Sequence, residues 1–298
     1  MQVVAIDLGS NTLRVVKYDC ESKDIVAEYE KIVRTADSIT KDGLIDKATQ
    51  DRIISGLQEA KETIKFSNCT LKAVTTEAMR VAKNSSEILT KIKDKTGVEF
   101  EIITPQEEAL YTLKAVQNRL NILKKDIKNF VLVDIGGGST ELTFYIDGKV
   151  YTKSFSLGIV TVANMANSLE DIDRILDIKI VKIKNYVQKY LKDNLTFVAT
   201  AGTPTTIASM KLGFTYETYN SKAINGVELS IDELDFYLKK LLSMSKEDRE
   251  KSVGVGRDDL IVAGILIFKQ IYLVLNMDKS IVIDDGLREG VALSLCGI

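Results

Sequence analysis

One pattern, strand–Asp–Gly–hydroxyl–strand, occurs twice in this chain and limits its fold more than any other feature. The first copy runs from the apolar stretch Gln2–Ile6 through Asp7-Leu8-Gly9-Ser10-Asn11-Thr12 into Leu13–Tyr18. The second runs from Val131–Val133 through Asp134-Ile135-Gly136-Gly137-Gly138-Ser139-Thr140-Glu141 into Leu142–Ile146. Residues without a Cβ let backbone N–H groups close on an anion without steric penalty. Asp134 and Glu141 bracket the second loop, where a hard, oxygen-seeking cation would sit beside a phosphate. A lone glycine turn between strands carries little meaning. Two matching ones imply two similar lobes, each offering a phosphate loop.

The rest of the chain alternates strands with helices, which makes the class α/β. Apolar spacing predicts a helix over Asp46–Lys65 with Ile53, Ile54, Leu57, Ala60 and Ile64 on one face, and a second from Ser85 or Ser86 to Lys95, stopping before Gly97. Strands are expected at Leu71–Thr76, Glu99–Thr104, Thr196–Thr200 and Ser280–Ile283. Asp147-Gly148 predicts a hairpin between Leu142–Ile146 and Val150–Ser156. Longer helices are expected over Asp171–Leu191, whose lysines read as a solvated face, and over Leu260–Leu275. Gly202-Thr203-Pro204 turns straight from a strand into a helix, which on local grounds reads first as a simple capped helix and second as a third contact for an anion or nucleotide. The expected domains are 1–124 and 125–286, with the terminal helix 287–298 returning to the first.

The helix that begins at Pro105 separates two neighbouring acids. Thr104 suits the N-cap, Pro105 the first turn, and Glu107 completes a Thr-x-x-Glu capping box. Glu108, about 100° further round the helix, has no capping role.

Composition narrows the chemistry. The chain contains no histidine, so Ser–His and Cys–His nucleophile pairs and His-ligated metals are excluded, and a general base has to be Asp or Glu. Glu108 is the choice. Lys+Arg 40 against Asp+Glu 42 gives a formal net charge of −2, so no global attraction to nucleic acid or an anionic membrane is expected. The longest apolar stretch is interrupted by Lys269 and Gln270 and is too short to span a bilayer. No signal peptide precedes the first strand, and Cys20, Cys69 and Cys296 fit reduced thiols, so the expected location is the cytoplasm. There is no Walker A loop. Asp7, Ser10, Asn11, Glu108, Asp134, Gly136–Thr140, Glu141, Gly202-Thr203, Asp285 and Arg288 all fall at expected strand ends, where open α/β sheets bind ligands.

Taken together, Asp7-Leu-Gly-Ser-Asn-Thr12, Arg80-x-Ala-x-Asn84, Glu107-Glu108-Ala109, Asp134-Ile-Gly-Gly-Gly-Ser-Thr-Glu141, Ala201-Gly202-Thr203 and Gly286-Leu-Arg-Glu-Gly290 resemble the exopolyphosphatase and guanosine pentaphosphate phosphatase family. The resemblance runs from the first strand to the last helix. It implies two ribonuclease-H-like domains of the actin-like ATPase superfamily around a central cleft. It implies Mg²⁺-dependent release of terminal phosphate from polyphosphate or from guanosine pentaphosphate, a nucleotide of the stringent response. Glu108 falls on the family's catalytic base, and Asp134, Glu141 and Asp7 on its metal-associated acids. The phosphate contacts implied are Gly9, Ser10, Asn11, Thr12, Arg80, Gly136, Gly137, Gly138, Ser139, Thr140, Gly202, Thr203 and Arg288. Polyphosphate or guanosine penta- or tetraphosphate would be the partner, and the resemblance admits K⁺ beside Mg²⁺ and a homodimer.

Three departures stand out. Leu157-Gly-Ile-Val-Thr161 lacks the arginine that similar proteins often carry, and Glu77 places an acid just before Arg80. The chain also resembles the short, two-domain members. All three weigh against processive action on long polyphosphate. Two other readings stay open: an ATP-dependent phosphotransferase or ATPase on the same fold, and a module that senses guanosine alarmones without hydrolysis.

Overall fold

The structure is a computed structural model that describes residues 1–37 and 39–298, with side chains for all of these except 40 and 41. It divides into two compact units, Met1–Ala115 with Gly286–Ile298, and Val116–Asp285.

The first unit begins with β1 (Gln2–Leu8), β2 (Thr12–Asp19) and β3 (Asp24–Ile32). A short α1 (Ile39–Asp42) and the long α2 (Lys47–Ile64) follow, then β4 (Thr70–Thr75), α3 (Glu77–Val81), α4 (Ser85–Thr96) and β5 (Phe100–Ile102). Helix α5 runs from Pro105 to Ile122. The five strands make one sheet in the order β3-β2-β1-β4-β5. β1–β2 and β2–β3 are antiparallel, whereas β4 lies parallel to both β1 and β5. Alternation along β1 sets the two faces, since successive strand side chains point opposite ways. Val4, Ile6 and Leu8 join Ile53, Leu57, Ala60 and Ile64 of α2 in one core.

The second unit contains β6 (Phe130–Ile135), β7 (Thr140–Ile146), β8 (Lys149–Phe155), α6 (Ile159–Met165), α7 (Leu169–Val187), β9 (Thr196–Thr200) and α8 (Gly202–Lys211). It continues with α9 (Ser221–Ile224), β10 (Glu228–Ser230), α10 (Ile231–Ser243), α11 (Lys246–Val253), α12 (Ile261–Leu275) and β11 (Lys279–Val282). Its sheet runs β10-β11-β9-β6-β7-β8. Read from β8, the order is that of the first sheet, third-second-first-fourth-fifth, with β10 added at the far edge. Helix α12 is apolar almost all round and lies in the core, with Ile265, Phe268, Ile271 and Tyr272 fully buried. Each unit therefore has the strand order expected of a ribonuclease-H-like domain.

The chain ends in α13 (Leu287–Leu295), which belongs to the first unit. Leu287, Val291, Ala292 and Leu293 form the second core of that sheet with Val3, Ala5, Val16 and Tyr18. Gly290 allows this seat: a Cβ there would stand 1.9 Å from the carbonyl oxygen of Tyr111.

The expected helices and strands are present with ends shifted by a few residues. Asp46 caps α2 by accepting from the Thr49 amide, and Gly97 closes α4 with a φ of 70°. Asp147 and Gly148 both have positive φ and join β7 to β8. Two strands are new. The sequence reading does not include β3, whose Ile25, Ala27 and Tyr29 alternate with Val26, Glu28 and Glu30, or the three-residue β10. One expectation is corrected. Cys20 and Cys296 form a disulfide, with Cα atoms 5.4 Å apart, and only Cys69 is a free thiol. A separation of 276 residues hides the proximity, which arises when α13 packs on β1 and β2. Among the described residues, no helix is long and apolar enough to cross a membrane.

Candidate active site

Each unit builds the same turn between its first two strands. In the first unit the Gly9 amide donates to the Thr12 carbonyl at 3.0 Å; in the second, the Gly136 amide donates to the Ser139 carbonyl at 2.9 Å. The loop carbonyls are then engaged by the segment that follows the third strand. Val33 and Arg34 amides donate to Asn11 O at 2.9 and 2.8 Å, and the Ala36 amide to Ser10 O at 2.9 Å. Ile159 donates to Gly136 O at 3.0 Å and Val160 to Gly137 O at 2.8 Å. Side chains lock the frames: Thr75 Oγ1 donates to Leu8 O at 2.7 Å, and Thr140 Oγ1 donates to Leu157 O.

With their carbonyls held from behind, the loops keep amide groups to themselves. Among the described residues, the N–H groups of Ser10, Asn11, Gly137, Gly138 and Ser139 donate to no protein atom. Ser10, Thr12, Ser139 and Thr140 are buried. Asn11 Oδ1 is also buried without a partner. Runs of such amides form anion-binding concavities. A third set lies at α8, where the amides of Gly202 and Thr203 start the helix and have no intrahelical acceptor. Ala201 before them has φ 71° and ψ −173°, a region occupied almost only by glycine. Thr203 is buried against α12, where a Cβ on Gly264 would stand 2.1 Å from Thr203 Oγ1.

The two loops differ in charge. Across β1–β2 the register pairs Asp7 with Arg14; across β6–β7 it pairs Asp134 with Glu141. Two carboxylates directly opposite in an antiparallel ladder repel one another. Glu141 is buried, and Ser154 Oγ donates to its Oε1 at 2.6 Å. Among the described residues, no three acidic or cysteine side chains gather as a complete metal cage. Mg²⁺ seldom has one, since it is usually held by one or two carboxylates together with substrate phosphates and water. The facing pair Asp134 and Glu141 suits that kind of holding.

The start of α5 forms as its sequence dictates. The Thr104 amide donates to Glu107 Oε2 at 2.8 Å and the Glu107 amide donates back to Thr104 Oγ1 at 3.2 Å. The Thr104 amide and hydroxyl hold the Glu107 carboxyl below its ordinary range. Glu108 is turned elsewhere: Arg80 Nη2 donates to its Oε2 at 2.9 Å. Arg80 is in turn fixed by Glu77 Oε2, which accepts from Nε at 3.1 Å, and by the Ile103 carbonyl, which accepts from Nη1 at 2.8 Å. Arg288 is buried, donating from Nη2 to Glu28 Oε2 at 2.9 Å and from Nε to Glu289 Oε1. Asp285 receives a two-pronged contact from Arg119, at 2.6 and 2.9 Å.

The first unit thus holds Gly9–Thr12, Arg80, Glu108 and Arg288, and the second holds Asp134, Gly136–Glu141, Gly202 and Thr203. Sequence reading missed the roles of Gly158 and Gly264 as spacers and of Glu77 as the brace of Arg80. The only sequence signal for Glu77 was its departure from the small or neutral residue expected there.

The chain is similar to several known proteins. Exopolyphosphatase 1 of Mycobacterium tuberculosis is 25% identical over 311 residues, covering 98% of this chain and 88% of the relative. A bifunctional 3-dehydroquinate synthase/phosphatase of Fusobacterium nucleatum is 25% identical over 309 residues; the alignment covers 97% of this chain but spans about half, 46%, of that relative. The crystal structure of the Aquifex aeolicus member of the Ppx/GppA family superimposes with a TM-score of 0.77 at 30% identity, covering 99% of this chain and 97% of that one. The model of the Ppx/GppA phosphatase family matches residues 15–297, and the chain belongs to that family.

Proposed function

We propose that this protein is a phosphoanhydride hydrolase that releases the terminal phosphate of inorganic polyphosphate or of guanosine pentaphosphate. The observation that carries the reading is the repeated loop, whose carbonyls are held by the protein while its amides are left for an anion. In this reading the amides of Ser10, Asn11, Gly137, Gly138, Ser139, Gly202 and Thr203 hold phosphate oxygens, with the hydroxyls of Thr12 and Thr140 bordering the loops. Arg80 adds cationic N–H groups to the phosphates. Glu108 accepts a proton from water as the water oxygen bonds to phosphorus. The phosphoanhydride P–O bond then breaks, and the shortened chain leaves with the bridging oxygen. Mg²⁺, held by Asp134, Glu141 and Asp7, would neutralise charge on phosphate oxygens when bound.

The test is phosphate release from long polyphosphate, short polyphosphate, guanosine pentaphosphate and ATP, with and without Mg²⁺, for wild type and Glu108→Gln. Turnover of the first three substrates above ATP, lost in the variant, is the expected result. Retained turnover in Glu108→Gln would remove Glu108 as the base, and a preference for ATP would favour a nucleotide-driven phosphotransferase.

A further inference from the structure

Each nitrogen of the Arg80 guanidinium is gripped, and the grip has a consequence for Glu108. A guanidinium offers five N–H groups in a flat fork, and a carboxylate that reaches one edge squarely takes two of them at once. Here Nε donates to Glu77 Oε2, Nη1 to the Ile103 carbonyl, and Nη2 to Glu108 Oε2. The three bonds therefore go to three different acceptors, one from each nitrogen. No single carboxylate has a whole edge, and one N–H on each terminal nitrogen is left over. The three side chains are largely buried, at 24% exposure for Glu77, 14% for Arg80 and 12% for Glu108.

We propose that Glu77 is a positioning residue: by occupying Nε of Arg80 it prevents the guanidinium from chelating Glu108. Without this brace the arginine swings an edge onto Glu108 and takes both oxygens of the carboxylate that has to receive a proton from water. It also withdraws the N–H groups that would face a phosphate. The inference rests on Glu108 as the base, as proposed above. Glu77 also stands in the first turn of α3, where an acid complements the helix dipole. That role affects stability and not turnover.

The experiment compares Glu77→Ala, Glu77→Asp, Glu77→Gln and Glu108→Gln in the phosphate-release assay, with circular dichroism melts on each. The Gln amide oxygen still accepts from Nε, whereas the Asp carboxylate keeps the charge but is one methylene too short. The expected result is a fall in kcat of roughly tenfold or more for Ala and Asp, with Gln within about threefold of wild type, since small displacements of a catalytic group are costly. Equal kcat in all three Glu77 variants overturns the proposal. So does a loss in Gln with retention in Asp, which would mean that the charge acts and not the hydrogen bond. If Glu108→Gln keeps its turnover, the base assignment fails first; if it is inactive while Glu77→Ala is unimpaired, the inference alone fails.

Discussion

Gly158 lies backbone to backbone against Gly138: a Cβ built on Gly158 would stand 2.2 Å from the Gly138 carbonyl carbon and 2.3 Å from the Gly137 carbonyl oxygen. Both neighbours are main chain of the Gly136–Ser139 loop, so the clash cannot be relieved by rotating a side chain. Gly158→Ala is expected to destabilise the protein by about 1–3 kcal/mol, the usual penalty for overpacking. It should also raise KM for a phosphate-chain substrate, because the displaced loop is the one that presents free amides. Gly202→Ala is the control, since a Cβ there meets nothing within 4 Å. Urea unfolding of the pair would check the contrast. Equal stabilities would count against the tight seat of the loop.

Ala201 carries strain that glycine would release. Its φ of 71° with an extended ψ is a conformation that costs a side-chain-bearing residue about 1–3 kcal/mol. Ala201→Gly should raise the urea midpoint at an unchanged m-value, by about 1 kcal/mol in unfolding free energy after the added flexibility of the unfolded chain is counted. Ala201→Val should lower it. A destabilised glycine variant would contradict the backbone conformation at the start of α8.

The Cys20–Cys296 disulfide closes nearly the whole chain into one loop. Restricting the unfolded state in this way contributes about 2–4 kcal/mol in typical proteins. Cys296→Ser is expected to lose stability of that order, and dithiothreitol should produce the same drop in wild type. The two changes should not add. Thiol titration of the unfolded protein, without reductant, checks the premise: it should find Cys69 alone.

Glu59 fastens the edge strand β3 to α2. Its carboxylate accepts from Lys31 Nζ at 2.5 Å, from Tyr29 Oη at 2.7 Å and from Ser55 Oγ at 2.7 Å. The Lys31 bond first, then those of Tyr29 and Ser55, lower the carboxyl pKa from 4.5 to about 2. A lowered folded-state pKa gives stability that is present above pH 4.5 and lost as the pH falls towards 2. Because the pair is open to solvent, Glu59→Gln should cost only about 0.5–1 kcal/mol at neutral pH. The difference from wild type should shrink to nothing near pH 2. A carboxyl resonance titrating at an ordinary midpoint would refute the contact set.

Most of the framework was legible in the order of residues. The two Asp–Gly turns could be matched because loop chemistry is local: glycine, hydroxyl and flanking β-branched runs act over a dozen residues. The Thr104–Glu107 capping box was legible for the same reason, and with it the release of Glu108 from capping. Even the α/β class followed from periodicities that report only on neighbouring residues. What tertiary structure alone decided involves partners far apart in sequence. The loop carbonyls are taken by amides from beyond the third strand, which no local pattern specifies. Asp134 faces Glu141 while Asp7 faces Arg14, so register separates two turns that read alike. Cys20 reached Cys296 only because α13 found the apolar face of β1 and β2. Arg80 met Glu108 across 28 residues because strand order set α3 beside α5. Short-range chemistry wrote the loops, and packing chose what each side chain touches.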